Sequence, residues 1–513
     1  MPLNHQTMVP ILPHNSGMSL LPEHRPYVRF SATGAAHQDS SLLPTATMVR
    51  HSCFRTNNRI PGGVRNLSNV YTRWLPLALA MGAIGYYFWY LLRYALNIPY
   101  QDEIYDVLGF LSELVKSEDW RTSLQLFFIK WNEHSTASAR LVYYLSYRLF
   151  GEVNFVTLTV LANTALPVFV GLLYLRLRDQ DYRWLILLPI VFTLFSFRAY
   201  YTALWSMTAF AYFYVLVYGF CCVYCLHNLT RLRLLLAIFF GVLATFSLAS
   251  GQLVWLAGFL GVVHQTFVTK SISRWYLLAW ILAAAAVLLV WHSRSWSHPD
   301  LQFENLRNLA GGDDAMSTQK PLLVALLAQL KFFLAMIGGV VSDSSVLLAT
   351  VTGICVLLVF VFFVGAAWRG SDIRLELCCV YVLLTVAAIA HGRAEFVVLA
   401  EALNSRFSVP SAMLVCILWT LLFVRLRVRN IAALYLVALL AGINNLMAYA
   451  TYAEAIIHFH DVQAKRYNRN VFWLLGVPVA ESARVVANAT ALGIYKGPDR
   501  PVPLHDSSGK KVP

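Results

Sequence analysis

The sequence has little charge: 13% of its 513 residues are Asp, Glu, Lys or Arg, whereas 58% are hydrophobic. Soluble globular chains carry roughly 25% charged residues, so this composition excludes a soluble globular fold. The sequence also lacks a Gly-rich loop that ends in Lys-Ser/Thr, and "GAAWRG", residues 365–370, has only the glycine spacing of such a loop. A nucleotide-binding loop of this type is therefore not predicted.

Cysteine chemistry is not predicted either. The eight cysteines lie almost all inside apolar runs without the spacing of a metal site, and "CCVYC", residues 221–225, is typical of helix packing. The formal net charge is +14, but the basic residues form short clusters between apolar runs. This pattern is typical of cytoplasmic loops, so no nucleic-acid partner is predicted.

The N-terminal residues 1–70 are polar and rich in Pro, Ser, His and Asn, without a sustained apolar period. Such a composition predicts a disordered segment, which we expect on the cytoplasmic side. The segment has no apolar region followed by a cleavage site, so a signal peptide is not expected. Met48 is an alternative start of the chain.

Long apolar runs dominate the remaining sequence. Eleven of them approach the ~20 residues that a bilayer requires: 74–93, 154–175, 184–199, 207–226, 232–250, 252–268, 275–292, 345–367, 374–390, 409–424 and 430–449. Every even-numbered run is followed by a basic cluster, which is typical of the cytoplasmic side. The sequence therefore predicts an all-α polytopic membrane protein with about 11 transmembrane helices. The predicted membrane domain is 71–449, and the first outside loop, 93–153, and a C-terminal tail, 450–513, lie on the outside face.

Three further apolar segments are not counted as spans. If the segment 321–341 crossed the membrane, every later loop would lie on the opposite side. We therefore expect an interfacial or re-entrant helix with Lys331 toward water. In the first outside loop, two short amphipathic helices are predicted to lie along the membrane surface. Their apolar stripes are Ile104, Leu108, Leu111 and Val115, and Leu124, Phe127, Phe128 and Trp131.

Three carboxylates follow the first span in "NIPYQDEIYD", residues 97–106. Acids are favoured at a helix N-terminus by ~0.3–1 kcal/mol, which accounts for Glu103 and Asp106 without any catalytic role. This preference accounts less well for Asp102, because Pro99 holds the chain extended just upstream. Asp102 is therefore the candidate for an acid directed at the membrane face.

A second polar cluster, "KWNEHSTASAR", residues 130–140, contains Glu133, His134 and Arg140. One interpretation makes it the other half of a site with Asp102; the alternative is a solvated loop whose Asn or Ser caps a helix. Metal binding by Glu133 and His134 is weakly indicated, because adjacent residues rarely point at one ion.

Arginines also lie at two later outside span ends. Arg198 follows the third span with Tyr200, Tyr201 and Trp205, and the alternative for this group is interfacial anchoring and snorkelling. Arg393 and Arg406 lie in a late outside loop, where the guanidinium fork suits a phosphate. The alternative there is pairing with Glu395 and Glu401.

The "DE" of the first outside loop, the following "NEH", the many spans and the late "SRF" resemble the multi-spanning GT-C glycosyltransferases over roughly residues 74–425. That superfamily includes the protein O-mannosyltransferases and the lipid A aminoarabinose transferases. The resemblance implies a sugar donor carried on a polyprenyl phosphate and a catalytic acid in the first outside loop. By position, Asp102 matches that acid, with Glu103 as its close rival. The remaining candidates for substrate binding are Glu133, His134, Arg140, Arg198, Arg393 and Arg406, with Arg406, Arg393 and Arg198 for the phosphate.

The expected function is therefore a glycosyltransferase of a bacterial inner membrane, with its site facing the periplasm. It would move a sugar to an envelope glycan or lipid acceptor. No cofactor is predicted, and the need for a divalent metal stays open. The alternatives are an O-antigen polymerase or ligase, whose key arginines lie in one large late loop, and a lipid or glycan transporter (flippase), which concentrates polar residues in broken helices at the midplane.

Overall fold

A computed structural model of the chain describes residues 70–131, 134–293, 322–342, 344–367, 370, 372–394, 397–426, 430–474, 477–505 and 511–512. The predicted disordered segment, apart from Val70, lies outside the described residues. So do Glu133 and Glu395, which sequence analysis named as a candidate ligand and as a candidate arginine partner.

The described chain is almost entirely helical, which confirms the predicted all-α fold. The first half comprises α1 (Leu75–Tyr94), α2 (Phe110–Lys116, continuing a π-helix Ile104–Gly109), α3 (Trp120–Phe128), α4 (Ala137–Phe150), α5 (Phe155–Asn163), α6 (Ala165–Leu177), α7 (Arg183–Leu194), α8 (Tyr200–Ala203), α9 (Ser206–Ala209), α10 (Val215–Leu226) and α11 (Arg231–Thr245). The second half comprises α12 (Val254–Val263), α13 (Arg274–His292), α14 (Leu322–Gly338), α15 (Val346–Ala367), α16 (Arg374–Arg393), α17 (Ser408–Leu426), α18 (Ile431–Asn468) and α19 (Val479–Ala491). Two short antiparallel ribbons complete it: β1 (Lys130–Trp131) with β2 (His134–Ser135), and β3 (Leu504–His505) with β4 (Lys511–Val512).

Side-chain caps begin many of these helices. Asp119, Asn154, Thr230, Ser273 and Asn430 each accept a backbone N–H from the first turn of the helix that follows. Such a cap stabilises a helix by about 1 kcal/mol because it satisfies an amide that has no partner within the helix. The polar residues between apolar runs therefore set where the helices start.

Within the described residues, ten helical segments are long and apolar enough to cross a membrane. They coincide with ten of the eleven predicted spans, so the chain is a multi-pass integral membrane protein. The remaining predicted span, 232–250, is the 15-residue helix α11. Arg233 near its start donates to the carbonyl of His227, and the carbonyl of Phe246 just after its end accepts from Ser138 N–H.

Two ends of the helix bundle can be distinguished. The segment Ser206–Leu226 begins beside Glu103, which accepts a hydrogen bond from Ser206 Oγ. It ends next to His227, whose Nδ1 lies 4.0 Å from Oδ1 of Asp372. Its 21 residues span about 30 Å at the α-helical rise of ~1.5 Å per residue. We call the end with Glu103 and Ser206 the loop end, and the end with Asp372 the basic end.

The segment 321–341, predicted as an interfacial or re-entrant helix, forms helix α14, which is shorter than the ten candidate spans. Helix α14 packs antiparallel along α15, so closely that a Cβ on Gly338 would lie 1.8 Å from the carbonyl oxygen of Ala349. A Cβ on Gly353 would lie 2.0 Å from that of Leu334. Glycine permits this approach, as small residues do between membrane helices. Helix α14 therefore forms a hairpin with α15, and Lys331 is exposed on its outer face.

The C-terminal part of the chain is also more integrated than predicted. Helix α18 does not end at 449 but continues to Asn468. Beyond it, Ile494 accepts a hydrogen bond from the backbone N–H of Val153, and Tyr495 donates to the carbonyl of Asn97. The residues predicted as a tail thus cover the loop end.

Both predicted amphipathic helices of the first outside loop form. Three of the four residues of the first apolar stripe, Ile104, Leu108 and Leu111, are buried, with α4 and α19 packed against this π-helix, whereas Val115 is exposed. The stripe of α3 is more open, and Leu124 is exposed.

Candidate functional site

The turn after α1 presents two adjacent carboxylates in different environments. Pro99 is buried, and Gln101 adopts a left-handed conformation with φ of 48°, which is uncommon for a residue with a side chain. The next residue, Asp102, is half-buried, and its carbonyl accepts the N–H groups of Tyr105 and Asp106 at the start of the following helix. Glu103, by contrast, is 2% exposed.

Glu103 is held by three hydrogen bonds. It accepts from the backbone N–H of Tyr100 at 2.8 Å, from Ser206 Oγ at 2.5 Å and from the backbone N–H of Met207 at 3.1 Å. The last two groups begin the segment Ser206–Leu226, so the carboxylate caps a helix N-terminus, where negative charge is favourable. Burial raises the pKa of Glu103 to about 7, and the hydrogen bonds oppose this rise. Glu103 therefore fixes the turn to the bundle.

The hydroxyl of Tyr201 is within electrostatic range of both Asp102 and Arg406. That hydroxyl also lies 3.2 Å from the Tyr100 hydroxyl, and the Tyr201 backbone N–H donates to Ser405 Oγ. Hydrogen bonds through Tyr201 thus link the first outside loop to the late loop.

An aromatic cluster surrounds this position. Tyr100 contacts Tyr201, Trp205 and Phe459 with ring centroids 6.2, 5.2 and 5.1 Å apart, mostly edge to face. The Trp205 Nε1 atom is buried without a hydrogen-bond partner among the described residues. Aromatic faces with a free N–H donor suit a sugar ring, which presents C–H groups on its faces and hydroxyls on its edge.

Two of the predicted phosphate-binding arginines carry buried N–H groups without partners. Arg198 donates to the carbonyl of Val340 at 2.6 Å through Nη1, whereas its Nη2 has no partner among the described residues. Arg406 stacks on Phe407 at 4.7 Å, and its Nε likewise has none. Arg198 also lines a cavity of about 30 Å³ together with Ser408. Leaving such a donor buried and unsatisfied costs about 1–3 kcal/mol, which a bound anion recovers.

Arg140, a predicted substrate-binding residue, lies elsewhere. It is buried, and its Nε and Nη2 donate to Asp106, which also accepts from Thr136. Its Nη1 donates to carbonyls at the end of α3, including that of Leu126 at 2.9 Å. The geometry assigns Arg140 to a buried ion pair that joins α3, α4 and the π-helix before α2.

The remaining candidates that the structure describes make the following contacts. His134 accepts from the backbone N–H of Ala249, at the connection between α11 and α12. Arg393 is half-buried at the end of α16, and its carbonyl accepts the N–H of Val397. Glu401, proposed as an arginine partner, accepts from Asn404 instead.

Sequence reasoning missed Ser206 and Phe459. Ser206 follows an aromatic group at a span end, and nothing in its type or spacing distinguishes it from other serines there. Phe459 lies in the part of α18 that was taken for a tail, and a single apolar residue in a helix carries no functional signal.

A comparison with protein-family models, with curated proteins and with solved structures finds no match to this chain. The resemblance to the GT-C glycosyltransferases therefore depends on the residues of this chain alone.

Proposed function

We propose that the protein is a glycosyltransferase that uses a polyprenyl-phosphate-linked sugar as donor, as the resemblance to the GT-C superfamily implies. The observation that carries the proposal is the link through Tyr201 between Tyr100, two residues before Asp102, and Ser405, the residue before Arg406. A glycosyl transfer from a lipid phosphate needs a base and a cation a few ångströms apart, at the boundary of the membrane.

Asp102 is the base in this proposal. Asp102 is half-buried, so part of the residue stays in contact with solvent. Glu103 is less suited to this role, because it is buried and its lone pairs are occupied by Tyr100, Ser206 and Met207. It holds Asp102 in position.

The reaction follows from this arrangement. A hydroxyl oxygen of the acceptor attacks the anomeric carbon, and the bond between that carbon and the phosphate oxygen breaks. Asp102 takes the hydroxyl proton as the oxygen becomes acidic in the transition state. The electron pair of the broken bond remains on the polyprenyl phosphate, whose added charge Arg406 and Arg198 stabilise by charge-assisted hydrogen bonds.

The clustering of arginines at the basic end supports a cytoplasmic position for that end, by the positive-inside rule. The site at the loop end then faces the periplasm of a bacterial inner membrane, where the acceptor is an envelope glycan or a lipid. An O-antigen polymerase or ligase and a flippase are the alternatives to this proposal.

Reconstitution in liposomes with radiolabelled polyprenyl-phosphate sugars tests it. The proposal expects label to move to an added glycan or lipid acceptor with release of polyprenyl phosphate. Transfer only from polyprenyl-diphosphate glycans favours the polymerase or ligase. Movement of intact donor between leaflets without transfer favours the flippase, and either result overturns the proposal.

A further inference from the structure

Three metal-ligating side chains meet at the loop end, apart from the proposed donor site. His460 and Asp461 lie near the end of α18, and His505 lies in β3. His460 and Asp461 are adjacent, and adjacent residues rarely point at one ion, but here one ligand atom from each of the three residues lies within 4.8 Å of the other two. Asp461 Oδ1 is 3.0 Å from Nδ1 of His460 and 2.9 Å from Nδ1 of His505.

Both imidazoles are turned toward the same carboxylate oxygen. The backbone N–H of His505 also points at Asp461, with its nitrogen 3.2 Å from both carboxylate oxygens. Two imidazole nitrogens and one carboxylate oxygen thus lie close enough together to share one cation.

Charge and burial lead to the same conclusion. The side chains of His460 and His505 are 2% and 0% exposed, and that of Asp461 is 12% exposed. With both imidazoles neutral, the cluster carries one nearly buried negative charge, which is costly without a compensating cation. The Nε2 atom of His505 has no partner among the described residues, so Nδ1 is the ring atom that holds this side chain in place.

We propose that His460, Asp461 and His505 form a binding site for a divalent transition-metal ion, with Zn²⁺ as the best-suited ion. Two imidazole nitrogens and one carboxylate oxygen are ligands that zinc prefers, whereas Mg²⁺ and Ca²⁺ favour oxygen ligands throughout. A fourth position stays open for water or another ligand.

The site joins parts of the chain that are distant in sequence. It fixes β3, near the C-terminus, to α18, and both imidazoles contact Tyr94 at the end of α1, with ring centroids 5.6 and 6.3 Å apart. Phe459, the residue before His460, belongs to the aromatic cluster with Tyr100 and Tyr201. The metal is therefore structural and holds the outer part of α18 in place.

The test uses the full chain, purified through a tag without histidine. The protein is treated with a chelator and titrated with Zn²⁺ alone, and metal content and melting temperature are measured. We expect about one Zn²⁺ per chain, as for a mononuclear site, and a higher melting temperature on its addition. This zinc titration is carried out on the wild-type protein alone.

A matched pair of variants locates the ion. His505→Ala should lose zinc affinity by more than about tenfold and lose the zinc-dependent rise in melting temperature. His458→Ala removes an exposed histidine of the same helix and should behave as the wild type. Three results would each overturn the proposal: no zinc bound by the wild type, a melting temperature that zinc does not change, or equal zinc binding by His505→Ala.

Discussion

The two ends of the helix bundle use arginine in different ways. At the basic end, Asp372 pairs with Arg176 and Arg374, each at 2.8 Å, and Arg425 pairs with Glu376 at 2.6 Å. At the loop end, Arg198 and Arg406 form no ion pair with any carboxylate among the described residues. The described carboxylates of the basic end thus pair with arginine, whereas in the proposed function the guanidinium groups of Arg198 and Arg406 bind an anion, the donor phosphate.

An unsatisfied N–H alone does not make this distinction. Arg176 and Arg183 also have a buried Nε without a partner among the described residues. What distinguishes Arg406 is its position next to Ser405, which accepts from the backbone N–H of Tyr201. Within the loop end, Arg140 provides a third case, because Asp106 neutralises it. In the proposed function, only an arginine without a carboxylate partner is a candidate for binding the donor phosphate.

The largest effect is expected at Asp102. Asp102→Asn removes the proposed general base, so turnover of purified, donor-loaded protein should fall about 10²–10⁴-fold while the protein folds and binds donor. Asp119→Asn, which replaces an exposed helix cap with another good cap, is the control and should be fully active. Near-normal turnover of Asp102→Asn together with an inactive Glu103→Gln would reverse the two roles. If both are active, Glu133 is the next candidate.

Arg140→Ala should destabilise the protein by about 3–5 kcal/mol, because it leaves Asp106 buried without its partner. Denaturation in detergent measures this change. Arg148→Ala, at an exposed position of the same helix, should change stability by less than about 0.5 kcal/mol. A stable Arg140→Ala protein that no longer binds donor would return Arg140 to the substrate-binding residues.

Glu103 should make stability depend on pH. Its pKa is about 7 in the folded state against an ordinary value of 4.5, so the folded protein retains a proton that the unfolded chain releases. Its stabilising contribution is complete below pH 4.5 and is lost as pH rises through 7, by about 3 kcal/mol or less. Glu103→Gln should flatten the decline of melting temperature between these pH values. An unchanged slope would show that another group is responsible.

Deletion of residues 1–47 should have the smallest effect. Their composition provides little apolar surface to bury, so folding and activity should persist. Membrane accumulation and turnover of the shortened chain measure this. Loss of the protein from the membrane would show that the segment contributes to folding or insertion.

The fold was largely predictable because bilayer-length apolar runs identify membrane helices almost one by one. Some features leave no signal in the sequence. Segment 321–341 was kept out of the count by the alternation of basic loops, and α14 is also shorter than the candidate spans, but its antiparallel contact with α15 through Gly338 and Gly353 leaves no periodic signal. The sequence shows that the apolar run ends at 449 but not where α18 ends, because hydropathy falls where a helix leaves the apolar layer, although the helix itself continues.

The candidate site was predictable in part. Proximity to a span end indicated Asp102, Arg198 and Arg406, whose roles stay predictions, and the structure links the loops of Asp102 and Arg406 through Tyr201. Sequence could not separate Arg406 from Arg140, since the two differ in their partners rather than in residue type. The burial of Glu103 could not be predicted from the sequence either, because it depends on Ser206 and Met207, about a hundred residues away.

The most direct test of the account is binding of radiolabelled polyprenyl phosphate to purified wild type, Arg406→Ala, Arg406→Lys and Arg176→Ala. Arg176 is the matched control, since it has the same kind of unsatisfied Nε but is paired with Asp372, which Arg374 still neutralises in the variant. Charge-assisted hydrogen bonds contribute about 1.5–3 kcal/mol, so Arg406→Ala should lose at least about tenfold in affinity. Arg406→Lys should also bind more weakly, because lysine lacks the fork. Arg176→Ala should bind as the wild type does. Unchanged binding by Arg406→Ala, or an equal loss in Arg176→Ala, would contradict the account.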